Sequence, residues 1–134
     1  MKRYLLTVLG VISLCLPAFA DEWYVAYQDD EVTVYFYDEI KKTSDGYRVW
    51  IEYDFNKSKT LGKNKYYKAI KFYKEYNKEF DEDRTYVTVW YNSAWKTVDS
   101  HESSYPSWHY LIPGSIGYEV AYTIQDYINY ISNN

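Results

Sequence analysis

The sequence predicts an α+β fold: an antiparallel β-sheet meander of about six strands packed against a C-terminal α-helix. Three observations predict it. From Glu22 to His101 most of the chain runs as short segments that alternate apolar and polar side chains between polar turns. Beyond Pro113 and Gly114 the apolar period lengthens to three or four residues, the mark of one amphipathic helix. Aromatic residues make up 22% of the chain, and Tyr and Trp favour pleated surfaces.

The first 20 residues stand apart. Met1 to Ala20 has a basic start (Lys2, Arg3), an apolar run from Leu5 to Leu16, a break at Pro17 and an Ala18-Phe19-Ala20 ending. That is the pattern of a secretory signal peptide cleaved after Ala20. The uncharged run is shorter than the roughly 20 apolar residues of a membrane span, so no stable span is expected after cleavage. Leu14 before Cys15 is too large for a lipoprotein signal. Removing 20 of 134 residues leaves a single domain, 21–134, of 114 residues. It holds no cysteine, 18 of the 19 tyrosines and all five tryptophans. Without Lys2 and Arg3 the formal charge moves from −4 to −6, which argues against nucleic acid as a partner.

Glu22 to Gln28 alternates Trp23, Val25 and Tyr27 against Tyr24, Ala26 and Gln28. Asp29-Asp30 turns the chain into Glu31 to Tyr37, which completes a hairpin. Asp38 to Gly46 is a connection ending in the turn signal Ser44-Asp45-Gly46. Tyr47 to Phe55 has the cleanest alternation: Tyr47, Val49, Ile51, Tyr53 and Phe55 on a buried face, Arg48, Trp50, Glu52 and Asp54 on a wet one. Asn56 to Asn64 reads as a basic loop. Tyr66 to Phe80 is ambiguous; its second half, about Phe72 to Phe80, is expected as strand, and 66–72 fits helix or strand. Asp81-Glu82-Asp83 is a turn, and Arg84 to Asn92 a strand with Tyr86, Thr88 and Trp90 opposite Val87, Val89 and Tyr91. Trp95 to His101 returns as the last strand. Ser115 stands where an N-cap hydroxyl would sit, followed by a stripe of Ile116, Val120, Ile124, Tyr127 or Ile128, and Ile131. Such a helix has only the apolar sheet face to bury itself against.

Catalytic chemistry is poorly supplied. The domain has no cysteine, only His101 and His109 as imidazoles, and no Gly-x-Ser-x-Gly elbow. The histidines lack helical metal-ligand spacing, and Asp29-Asp30 and Asp81-Glu82-Asp83 lack EF-hand spacing, so they read as solvated turns. Gly114 to Gly117, "GSIG", lacks a P-loop lysine and reads as a helix cap. No cofactor or metal is expected. What remains is an aromatic sheet face with charges beside it, best seen in Arg48, Trp50 and Glu52, the composition of recognition surfaces.

The order of these signals carries a resemblance. A Trp opening the first strand, "YRVWIEYDF", "EFDEDRTYVTVWYN" and "WHYLIPGSIGYEV" resemble the surface-adhesin protein E family of small exported bacterial proteins, across roughly Trp23 to Tyr130. The likeness is most specific at Trp108, Ile112, Pro113, Gly114 and Ser115. It implies an antiparallel sheet on a C-terminal helix, adhesion to host proteins as for the founding member, and no enzymatic role. It also implies a cysteine pair joining the strand before "RTY" to the final helix; the corresponding places, Glu82 and about Gln125, hold none. The expected function is therefore binding of a host or envelope protein, or another surface ligand, through the aromatic face. The alternative is an envelope assembly role as a homodimer through a sheet edge or that same face. The expected location is exported: periplasm, cell surface or medium.

Overall fold

The computed structural model describes residues 22–133, so the expected signal peptide lies outside the described residues. Among the described residues eight strands and one helix follow one another: β1 (Trp23–Gln28), β2 (Val32–Tyr37), β3 (Lys41–Lys42), β4 (Gly46–Thr60), β5 (Tyr66–Asn77), β6 (Glu82–Tyr91), β7 (Thr97–Glu102), β8 (His109–Tyr110) and α1 (Ile116–Ser132). They form one antiparallel sheet in the order β1-β2-β4-β5-β6-β7; β3 pairs with the start of β4, and β8 with the start of β6. The path is a meander, as its short polar turns dictate.

The helix covers one face. Val32, Val34, Phe36, Val49 and Ile51 meet Val120, Ala121, Ile124 and Ile128 in the core, with Tyr76 and Phe80 closing one end. The rings of Tyr24 and Phe36 lie 5.3 and 5.2 Å from that of Tyr127, and Thr123 donates to the Ala26 carbonyl at 3.1 Å. Apolar burial is the main driving force here, because no covalent staple joins sheet to helix. The stripe ends a turn early: Ile131 is 46% exposed.

The Ile112-Pro113-Gly114-Ser115 corner has a simple mechanics. Ser115 N–H donates to the Ile112 carbonyl at 3.0 Å, and Gly114 takes φ +88°, a type II turn with Pro and Gly in their favoured places. Ser115 then caps α1, its Oγ accepting from Tyr118 N–H at 3.2 Å, while Glu119 complements the helix N-terminus.

Residues 66–72, which the sequence leaves open between helix and strand, are strand: Tyr66 and Tyr67 pair with β4, and Ala69 to Phe72 with both β4 and β6. Several expectations need correction. The expected loop from Asn56 extends β4 to Thr60, and the turn residues Glu82 and Asp83 are the first of β6, held by Tyr110 and His109 of β8. A bulge between Val25 and Tyr27 breaks the alternation of β1 and brings Tyr27 to the core face. Another, opposite Tyr73 and Lys74, leaves Tyr86 out of step with Thr88 and Trp90. The second face of the sheet is not uniformly wet: Glu52, Glu75, Tyr35 and Ala69 are all buried on it.

Candidate functional site

The face away from α1 is built by register. Arg48, Trp50, Glu52 and Asp54 of β4 stand beside Glu75, Tyr73, Lys71 and Ala69 of β5. Tyr35 of β2 pairs with Glu52, and Val87, Val89 and Tyr91 of β6 with Tyr73, Lys71 and Ala69. Trp23 and Tyr37 pair at the β1–β2 end, their rings 4.8 Å apart.

At one end lies a buried polar network. Glu75 accepts from Thr43 Oγ1 at 2.5 Å, Arg84 Nε at 2.8 Å and Tyr86 OH at 2.9 Å. Arg48 Nε lies 3.6 Å away and Arg84 also reaches Asp45 at 3.2 Å. Burial pushes the Glu75 carboxyl up, but the bonds from Thr43, Arg84 and Tyr86 and the Arg84 charge outweigh it and hold it below the usual carboxylate range. The bulge is what delivers Tyr86 to this cluster, where its hydroxyl accepts from Arg48 at 3.0 Å. Arg84 stacks under Trp108 at 4.2 Å, so the Trp of the family-like motif clamps the network.

In the middle, Trp23, Tyr37, Trp50, Lys71 and Tyr91 line a cavity of about 260 Å³. The Lys71 ammonium lies 5.5 Å from the Trp23 ring, 5.4 Å from that of Tyr91 and 3.9 Å from Glu52 Oε1. Trp50 packs on Tyr73 with ring centroids 5.0 Å apart.

Of the three expected ligand-binding residues, only Trp50 lines the cavity. Glu52 is 0% exposed and stands as the counter-charge beneath Lys71. Arg48 belongs to the Glu75 network. Trp108 and Ser115 have structural roles, while Ile112 is exposed beside its turn. Sequence reasoning missed Lys71, Glu75, Arg84 and the cavity roles of Tyr37 and Tyr91. Their signal was cross-strand: opposite charges and aromatic pairs that become neighbours only once register is known. His101 and His109 sit exposed on β7 and β8. Among the described residues no three His, Cys, Asp or Glu side chains group as metal ligands, and no helix is long and apolar enough to cross a membrane.

These features define a class: a small meander sheet with one face closed by a C-terminal helix and the other presenting an aromatic-lined cavity. More particularly, the chain belongs to the surface-adhesin protein E family, which matches residues 23–124. No curated protein and no solved structure matches it significantly.

Proposed function

We propose that this protein is an exported, non-enzymatic adhesin that holds a surface ligand through the face around Trp50. One observation carries the reading: on the side that α1 leaves uncovered, four aromatic side chains and a lysine line a single cavity. Half-buried rings with a polar group nearby supply large contact area at small entropic cost, as binding hot spots do. Trp50 would make the contact, with Lys71 as donor and Glu52 fixing Lys71 from below. Family membership supports adhesion and an exported location.

Beads carrying the mature chain, applied to animal cell monolayers, test it. Trp50→Ala should lower retention by at least about tenfold, the loss of one hot-spot residue; retention equal to the parent's would sink the reading. A homodimer through β7 is disfavoured, because that exposed edge carries the charged side chains of Asp99 and Glu102, which blunt strand pairing.

A further inference from the structure

A second cavity opens on the same face, beyond Tyr91. Its volume is about 310 Å³, and Thr33, Asp54, Asn56, Lys68, Asn92 and Trp95 are among its walls. It exists because the β4–β5 ladder, regular from Gly46 to Asp54, loses its register until Lys59 pairs with Tyr67. Missing rungs leave room between strands.

Two features single it out. Asp54 buries a carboxylate oxygen that has no hydrogen-bond partner among the described residues, an unfavourable arrangement for a structure to keep. Trp95 closes the Asn92–Trp95 turn with φ +62°, donating its N–H to the Asn92 carbonyl at 2.9 Å. Glycine or asparagine takes that conformation far more readily than a bulky residue. An indole is thus held at the cavity wall by strained backbone, and strain of this kind concentrates at binding sites.

We propose that this cavity binds one unit of a neutral carbohydrate chain. The indole offers a flat apolar platform for the C–H face of a sugar ring. The Asp54 carboxylate accepts from hydroxyl groups. Asn92 commits its side-chain oxygen to the Ala94 and Lys96 amides, so its NH₂ group faces the role of donor, as does the Lys68 ammonium. Both charge signs line one cavity, which suits a ligand with many neutral donors and acceptors better than an ion. An extended peptide fits poorly: it binds by adding a strand to a sheet edge, and the outer strands here are β1 and β7, whereas this cavity lies over the interior strands. The Tyr91 and Trp95 rings lie 5.8 Å apart, so a longer glycan would continue from this cavity toward the one beside Trp50.

The test uses the purified mature chain with chitotetraose and lacto-N-tetraose as probes and tetra-alanine as the peptide control, read by tryptophan fluorescence and saturation-transfer NMR. At least one saccharide should bind, and Asp54→Asn should weaken it by about tenfold or more. Trp95→Gly, which relieves the turn, should fold with an unfolding midpoint no lower than the parent's yet lose saccharide binding. Preference for chitotetraose would assign the ligand to bacterial wall polymers; preference for lacto-N-tetraose, to animal-surface glycans. No saccharide binding at millimolar concentration, undiminished binding by Trp95→Gly, or tighter binding of tetra-alanine would overturn the proposal. Saccharide occupancy is read apart from cell adhesion, so it stands or falls independently of the Trp50 experiment.

Discussion

Glu75→Ala is the sharpest probe of how the second face is held. The carboxylate is fully buried and receives three hydrogen bonds, from Thr43, Arg84 and Tyr86, with Arg48 alongside. Removing one partner of a buried ion pair typically costs about 3–5 kcal/mol, because the other charge is stranded. Here the loss is partly relieved: the Arg84 and Arg48 side chains are 18% and 32% exposed, and Arg84 keeps Asp45. The expected destabilisation is therefore about 2–4 kcal/mol, which for a domain of this size lowers Tm by roughly 10 °C. Chemical denaturation should show a lower midpoint with an unchanged slope. The pH dependence supplies a second check. Glu75 titrates below its ordinary 4.5 when folded, so its contribution is complete above that value and is lost as pH falls through the folded pKa. Glu75→Gln should flatten this acid limb. A loss below about 0.5 kcal/mol, the level of an ordinary surface substitution, would mean that the Glu75 network does not hold this face.

Ile124→Ala removes a fully buried side chain from the sheet–helix seam and should cost about 2–5 kcal/mol by denaturant titration. Ser115→Ala leaves the Tyr118 amide without its cap and should cost about 1 kcal/mol in the same assay. Gly46→Ala should fail to give soluble folded protein in expression trials, because a Cβ there would lie 1.8 Å from the backbone oxygen of Tyr76. Burial, then the Asp83 charge, pushes the Tyr53 hydroxyl up to about 12; that phenol favours the fold below its ordinary 10, and the contribution fades as pH rises from 10 through about 12. Ultraviolet titration should show this late tyrosine, and Tyr53→Phe should blunt the alkaline loss of stability.

The parts legible in the sequence were those governed by local periodicity. Val49 and Ile51 point inward because strand alternation is strict in β4, and Val120, Ile124 and Ile128 because helical spacing is strict in α1. The Ile112–Ser115 corner was readable since Pro, Gly and Ser each have one conformational use there. What local pattern cannot reveal is an interruption. The bulges at Tyr27 and Tyr86 move rings across the sheet without any change in composition. Tyr66 to Phe72 carries apolar residues at spacings that fit either period, and only its two strand neighbours decide it. Glu52 looked like a wet-face charge because its counter-ion, Lys71, is on another strand. Of the candidate site, Trp50 was visible, while the cavity's other walls depend on register.

If α1 closes one face and the other binds, retention on cells depends on the cavity side and not on the outer side of the helix. Cell-retention titrations of the parent, Trp50→Ala and Tyr122→Ala compare the two sides, since Tyr122 is 57% exposed on the helix. Trp50→Ala should lose about tenfold or more and Tyr122→Ala nothing. Loss with Tyr122→Ala and full retention with Trp50→Ala would put the binding surface on the helix side instead.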